Sequence, residues 1–243
     1  MESLYVPDYY PEFHCIAEKC PHTCCAGWEI DIDPESLKKY QTMPGAVGDR
    51  LRRGMDREGE TAFFHLDEKG RCPMLNEQNL CTLILNCGEE ALCQICRDHP
   101  RFRNFLTGRV EMGLGLVCPE ACRLILSRPS PMKLICLKRG EERLTRQEEQ
   151  VLRARDMLLA ACHSSGPAAR LWEYLVFRHI APAAEDGQLA RRIGFVRKTH
   201  RRLLEGWTDG QLPTLMEECR IFSDQVEYDS EVLEKAIFGG KER

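Results

Sequence analysis

Apolar residues recur every three to four positions through much of the second half of the chain. This period predicts helices over 145–162, 164–180, 189–204 and 212–220. Thr145 with Glu148 has the spacing of a capping box, which marks the start of the first of them. A last helix is predicted near the end of the chain, with Asp229 or Ser230 as its cap.

The first half has shorter apolar stretches, and Pro and Gly interrupt them often. Asp33 before a proline predicts a helix N-terminus, and 101–112 predicts a β-hairpin with Gly108 in its turn. Short helices are also predicted near residue 51 and over 80–86, 89–98 and 119–127. We therefore predict a mainly α protein: a Cys-rich irregular and helical module with a short β-hairpin over 1–140, then a small helical bundle over 141–243.

Composition narrows the class of protein. The 243-residue chain is 43% hydrophobic and has a formal net charge of −4, a balance that excludes wholesale disorder and provides no overall attraction for nucleic acid. No apolar run reaches the roughly 18 residues that a membrane span requires. The first residues have neither the basic region nor the apolar region of a secretory signal peptide. We expect a cytoplasmic protein without a membrane partner.

Cysteine is the one residue type that is clearly over-represented. The chain has 14 cysteines, and twelve of them precede residue 137. Because a cytoplasmic compartment keeps thiols reduced, a dense set of cysteines favours metal ligands over disulfides. A disulfide framework and a set of scattered buried thiols remain as alternatives.

The candidate metal ligands are the cysteines that occur in short motifs. They are Cys20, Cys24, Cys25, Cys72, Cys81, Cys93, Cys96 and Cys118. The two-residue gap between Cys93 and Cys96 lets one loop supply two sulfurs to one centre. Cys24 and Cys25 are adjacent, so we expect their side chains to point apart and not to bind the same ion. Four thiolates suit either zinc or an iron–sulfur cluster, and the spacings do not decide between the two.

The order of these motifs resembles the flagellin lysine-N-methylase family, which overlaps a broader family of zinc- or iron-chelating cysteine-rich domains. The resemblance covers about residues 8–127 and lies in four segments, C-x4-C-x3-C-C-x-G-W, C-P-x-L…C, L-C-x-x-C-R-x-x-P-R and C-P-E-A. It implies methyl transfer from S-adenosylmethionine to lysine side chains of flagellin, and a cysteine-bound 4Fe-4S cluster or zinc ion. The alternative is a non-enzymatic metal-binding or adaptor module without methylase activity.

The sequence assigns no catalytic residue. Gly113 and Gly115 form the only glycine-rich candidate for a cofactor loop, but the third glycine of a dinucleotide-binding turn is absent. We expect these glycines to allow close packing in the second hairpin strand. Residues that could line a site for a lysine amine are Tyr9, Tyr10, Trp28, Glu29 and Asp31.

The helix predicted over 189–204 contains six Arg or Lys residues and no acidic one. Such a helix can bind nucleic acid or an acidic partner surface. We favour a solvated face that Glu185, Asp186 and Glu205 balance, and we predict no nucleic-acid partner.

Overall fold

The computed structural model describes residues 1–28, 30–162, 164–208, 210–227 and 230–239. Contacts divide the chain into two compact units, a larger one of Met1–His14 with Pro100–Arg243 and a smaller one of Cys15–His99. The sequence predicts a division near residue 140. The contacts instead group the hairpin and the helix after it with the C-terminal helices, because they share one hydrophobic core.

The described residues form seven strands and eleven helices. The strands are β1 (Ser3–Pro7), β2 (Ile30–Ile32), β3 (Met55–Glu58), β4 (Thr61–Phe64), β5 (Arg101–Leu106), β6 (Arg109–Leu114) and β7 (Leu134–Lys138). The helices are α1 (Pro34–Thr42), α2 (Gly45–Gly54), α3 (Thr82–Cys87), α4 (Gln94–Asp98), α5 (Pro119–Leu126), α6 (Arg146–Ala160), α7 (Gly166–Ile180), α8 (Ala183–Asp186), α9 (Leu189–Leu203), α10 (Leu212–Phe222) and α11 (Ser230–Phe238). Short 3₁₀ turns cover Tyr10–Glu12, Ala17–Lys19 and Glu89–Ala91, and a π-helical turn covers Ser223–Glu227.

The larger unit combines a four-stranded sheet with a group of helices. The strand order is β5-β6-β1-β7; β1 runs parallel to β6 and antiparallel to β7, and β5 and β6 form a hairpin. Helix α7 buries ten residues against α5, α6 and α9, seven of them apolar or aromatic and the others Arg170, Glu173 and His179. Because it is covered by other helices on several sides, α7 is the central helix of this unit.

The smaller unit has an antiparallel sheet of order β2-β4-β3 and four helices of modest length. Ile30 of β2 lies opposite Phe64 of β4, and both are buried together with Tyr40 of α1 and Leu51 of α2. Cys72 and Cys93 are buried in the same core, so some of the cysteine loops form part of the packing of this unit.

The chain is mainly helical, as predicted, but it has two sheets where the sequence predicts one hairpin. The long helices, the hairpin and the capping box are confirmed: the Glu148 backbone N–H donates to Thr145 Oγ1 (3.2 Å), and the Thr145 N–H donates to Glu148 Oε2 (2.7 Å). The single helix predicted over 89–98 is wrong, because Leu92 and Cys93 are extended and separate a 3₁₀ turn from α4. The cap predicted at Asp229 lies outside the described residues.

Across the part of the chain that the structure describes, no helix combines the length and the apolar character that crossing a membrane demands.

Candidate functional site

Two of the cysteine loops in the smaller unit are joined by their backbones. The Cys72 N–H donates to the Cys25 carbonyl (2.9 Å), and an isolated bridge pairs Ala26 with Arg71. Gly27 has φ +87° and donates its N–H to the Gly70 carbonyl (2.9 Å). The glycine in the C-C-x-G-W segment thus permits a left-handed turn that holds the first cysteine loop against the second.

The loop that carries Cys72 and Cys81 is folded back on itself. The Thr82 N–H donates to the Met74 carbonyl (2.8 Å), and Leu75 pairs with Cys81 in an isolated bridge. Arg50 donates to the carbonyls of Pro73 and Leu75 through Nε and Nη2 (both 2.7 Å). These bonds satisfy two carbonyls that regular structure does not pair, so Arg50 fixes the shape of this loop.

The third cysteine loop begins α4 and is attached to the start of α1. Asp33 Oδ1 accepts from the Ser36 N–H (2.9 Å), and Asp33 Oδ2 accepts from the Gln94 N–H (2.8 Å). Burial opposes the charged form, but these backbone hydrogen bonds lower the pKa of Asp33 to about 2. The Tyr40 hydroxyl donates to the Ala91 carbonyl (2.8 Å) just before the loop. The cap at Asp33 is predicted by the proline that follows it, whereas no local sequence pattern predicts its bond to Gln94 or the hydrogen bonds of Arg50 and Tyr40.

The thiols of these loops interact with one another. The Cys96 thiol donates to Cys93, and this bond lowers the pKa of Cys93 to about 7 while it raises the pKa of Cys96. Burial, with smaller contributions from the nearby Cys81 and Cys93, raises the pKa of Cys72 to about 11. Partial burial raises the pKa of Cys81, with smaller contributions from neighbouring thiols.

The adjacent residues Cys24 and Cys25 lie in a turn and not in extended backbone. Interaction with the neighbouring Cys25 thiol, together with burial, raises the pKa of Cys24. That the two side chains bind different ions stays a prediction.

Six of the eight predicted ligands are electrostatically linked to other thiols of the smaller unit: Cys24, Cys25, Cys72, Cys81, Cys93 and Cys96. Cys20 lies in the same unit at the end of a 3₁₀ turn, where its N–H donates to the Ala17 carbonyl (3.0 Å). Cys118 belongs to the larger unit and is the N-terminal cap residue of α5. All 14 cysteines are free thiols.

The described thiols of the smaller unit do not form a closed coordination site in this structure. Within the described ranges, no group of three or more Cys, His, Asp or Glu side chains is placed so that it could hold a metal ion. The thiols are nevertheless the right donors for zinc or for an iron–sulfur cluster, since both prefer thiolate sulfur. The donor set therefore fits such a centre by its chemistry.

The residues that the sequence suggests as the lining of a lysine site are divided between the two units. Tyr9 is buried in the core of the larger unit, and the Tyr10 hydroxyl there accepts a hydrogen bond from Arg101 Nε (2.7 Å). In the smaller unit, Trp28 Nε1 donates to the Cys24 carbonyl (2.7 Å), and Asp31 is exposed on β2. Glu29 lies outside the described residues.

Gly113 is a packing residue, as the sequence predicts. A Cβ atom at this position would lie 2.4 Å from Phe102 and 2.9 Å from Phe177. Gly115 donates its N–H to the Pro100 carbonyl (2.6 Å). The contacts of Gly113 show why this position of the second hairpin strand requires glycine.

The two units together define a mainly helical protein with a thiol-rich loop region. The flagellar biosynthetic protein FliU of Salmonella muenchen is 31% identical over 136 residues, a match that covers 53% of this chain and 79% of FliU. This match shows that the chain belongs to the flagellin lysine-N-methylase family.

Two further relatives are named lysine-N-methylase. That of Salmonella typhimurium is 31% identical and that of Salmonella choleraesuis is 30% identical, each over 136 residues. In each case the match covers 33% of the relative, so the chain corresponds to about a third of those methylases. No family model matches the chain, and no solved structure matches it.

Proposed function

We propose that this chain is a lysine-N-methylase-like metalloprotein whose smaller unit holds a zinc ion or a 4Fe-4S cluster. Its similarity to FliU and to two lysine-N-methylases supports methylase-like function. The observation that carries the metal part is that three cysteine loops meet in one unit: Cys72 and Cys93 share a core against which Cys25, Cys81 and Cys96 pack, and the Cys72 N–H donates to the Cys25 carbonyl (2.9 Å).

The residues that would hold the centre come from these three loops. Cys93 and Cys96 would provide one pair of sulfurs, and Cys72 and Cys25 lie on backbone segments that are hydrogen-bonded to each other. Cys24 and Cys81 complete the candidate donors. The centre would be mainly structural, since the loops that carry the donors have little regular structure of their own and a metal would restrict them to one conformation.

The metal is tested by elemental analysis of protein purified without oxygen, together with a visible absorption spectrum. We expect zinc, or iron with sulfide, in an amount close to one centre per chain. Cys93→Ser should lose most of the metal, because Cys93 is fully buried among the other thiols. Cys136→Ser is the matched control, since Cys136 is exposed on β7 in the larger unit. Folded wild-type protein without metal, or full metal retention by Cys93→Ser, would contradict the proposal.

The reaction that we propose is methyl transfer to a lysine of a protein substrate. In this reaction a deprotonated lysine Nζ would attack the methyl carbon of S-adenosylmethionine and form a C–N bond, while the C–S bond would break and release S-adenosylhomocysteine. The excess proton on nitrogen passes to solvent. A site for this reaction must align the amine with the methyl group and shield the amine from water. Flagellin is the proposed substrate.

The enzymatic proposal is tested by titrating the metal-loaded full chain with S-adenosylmethionine in a calorimeter, and then by mass spectrometry of flagellin incubated with both. We expect saturable binding and the addition of methyl groups to flagellin lysines. A metal-loaded chain that neither binds S-adenosylmethionine nor modifies flagellin would overturn the enzymatic proposal but leave the metal proposal standing.

That second outcome corresponds to the alternative function, a metal-binding or adaptor module without methylase activity. The observation that favours it is the extent of the match, which covers only 33% of each lysine-N-methylase.

A further inference from the structure

Helix α9 carries six Arg and Lys residues, and their ion pairing differs between its two halves. In its first half, Arg192 is paired with Asp186 (2.5 Å), as the sequence predicts for a balanced face. In its second half, Arg197, Lys198 and Arg201 are exposed, and no acidic group of the described residues lies within 4.0 Å of them. Among the described residues, direct pairing of these three cations with a neighbouring acid is therefore not seen, in contrast to Arg192.

These cations border a groove in the larger unit with a volume of about 740 Å³. Trp172 and Leu204 provide its apolar lining, and Arg202 contributes a further guanidinium group. Glu205 is the one acidic side chain that lines the groove among the described residues. A helix face that only contacts solvent would not be expected to combine apolar side chains with a border of cations.

The apolar part of the groove is held in place by hydrogen bonds. Trp172 Nε1 donates to the Leu158 carbonyl (3.0 Å), and His200 Nε2 donates to the Ala168 carbonyl (2.8 Å). The two rings meet edge to face, with their centroids 5.3 Å apart. Because these two rings are already fixed, they lose little conformational entropy when a ligand covers them.

We propose that this groove binds an acidic peptide segment that carries one apolar side chain. Carboxylates of the peptide would pair with Arg197, Lys198 and Arg201, and its apolar side chain would lie against Trp172 and Leu204. Clusters of arginine commonly recognise acidic motifs in this way, and a groove of this volume accommodates a few residues of a peptide. The site does not depend on the proposed methylase function.

Two features favour a peptide over a nucleic acid. The larger unit contains 24 Arg and Lys residues against 23 Asp and Glu residues, so it provides almost no overall attraction for a polyanion. The cations from Arg197 to Arg202 span only about 7.5 Å of helix, which is too short to follow several phosphates of a strand.

The test is the fluorescence anisotropy of a labelled twelve-residue peptide of Asp and Glu with a central Leu, titrated with the full chain. We expect binding that weakens as salt is raised. The triple variant Arg197→Ala, Lys198→Ala and Arg201→Ala should bind about tenfold more weakly, since each exposed ion pair contributes a modest part. Replacing the Leu of the peptide by Ser should weaken binding several-fold.

The matched control removes three exposed cations elsewhere in the same unit, Arg139→Ala, Arg146→Ala and Arg191→Ala. It changes the net charge by the same amount, so it should bind the peptide within about twofold of the wild type. Circular dichroism verifies that both triple variants are folded. Absence of peptide binding, equal affinity of the two triple variants, or tighter binding of a single-stranded oligonucleotide through the same three residues would overturn the proposal.

Discussion

The carboxylate of Asp33 binds the backbone of Gln94, which is 61 positions further along the chain. One oxygen of Asp33 caps α1 through the Ser36 N–H, and the other accepts the Gln94 N–H at 2.8 Å. Gln94 directly follows Cys93, so a single side chain both starts a helix and fixes the third cysteine loop.

Asp33→Ala should destabilise the smaller unit by about 1–3 kcal/mol, because it removes the cap of α1 and leaves the Gln94 N–H without its acceptor. Chemical denaturation of the full chain measures the loss. Asp31→Ala is the control, since Asp31 is exposed on the strand just before the cap, and its replacement should change stability little. Equal effects of the two substitutions would contradict the double role of Asp33.

Glu111 and Arg155 form a buried ion pair in the larger unit, with the side chains 0% and 3% exposed. Arg155 Nη2 donates to Glu111 Oε1 (3.0 Å), and Arg109 Nη2 donates to the same oxygen (2.6 Å). Burial alone would raise the pKa of Glu111, but the two guanidinium groups hold it below its ordinary value.

Glu111→Gln should reduce the free energy of unfolding by about 3–5 kcal/mol, because it leaves two guanidinium groups facing a neutral amide in the interior. The pair Glu141 and Arg143 offers a comparison, since its nitrogen–oxygen distance of 2.7 Å is similar but its side chains are 71% and 74% exposed. Glu141→Gln should have little effect. Urea denaturation of both variants measures the two changes. Similar losses of unfolding free energy would refute the conclusion that the buried pair stabilises the larger unit.

The capping box of α6 predicts a pH-dependent contribution to stability. Glu148 accepts hydrogen bonds from the backbone N–H groups of Thr145 (2.7 Å) and Thr107 (2.8 Å). Burial opposes the charge, but these bonds hold the pKa of Glu148 below its ordinary value of 4.5. Because the pKa is lower in the folded state, the carboxylate stabilises the fold above that ordinary value, and the contribution is lost as the pH falls below it.

Glu148→Gln should therefore lower stability by about 1–2 kcal/mol at pH 7, and the difference from wild type should shrink as the pH falls below about 4.5. Unfolding curves measured from neutral to acidic pH test this. Glu149→Gln alters an exposed neighbour that pairs with Arg153 (2.8 Å), so it should show a smaller difference at neutral pH. A difference between Glu148→Gln and wild type that does not vary with pH would be inconsistent with the lowered pKa.

Gly113 and Gly194 should respond in opposite directions to the same substitution. Gly113→Ala would place a methyl group within 3 Å of two phenylalanine rings, and we expect a loss of about 1–3 kcal/mol. Gly194 lies in α9 with nothing within 4 Å of an added Cβ, so Gly194→Ala should stabilise the protein by about 0.5–1 kcal/mol. Thermal unfolding of the two variants gives the signs directly. A stabilised Gly113→Ala would show that the hairpin is not packed as described.

The sequence predicts the elements whose signals are local. The capping box at Thr145 and the turn at Gly108 each lie within a few residues of the structure that they specify. The strands β1 and β7 were missed, because each is short and gains its partners from far along the chain. Ser3 lies opposite Arg109, and Pro7 lies opposite Leu134. Pairing over such distances depends on tertiary packing and leaves little local pattern.

The candidate site was predictable in composition but not in arrangement. Cysteine motifs point to thiol ligands, yet spacing alone does not tell which loops meet. The bond between Cys72 and Cys25, the bracing by Arg50 and the reach of Asp33 to Gln94 are all long-range contacts. Arg50 lies in a helix rich in arginine, so nothing in the sequence distinguishes it from its exposed neighbour Arg53.

Binding of a metal by the thiols of the smaller unit can be measured by native mass spectrometry of the full chain, purified without oxygen and compared with the same sample after acid denaturation. We expect a native mass that exceeds the denatured mass by one zinc ion or by four irons with their sulfides. Identical native and denatured masses for a chain that is folded by circular dichroism would contradict metal binding by these thiols.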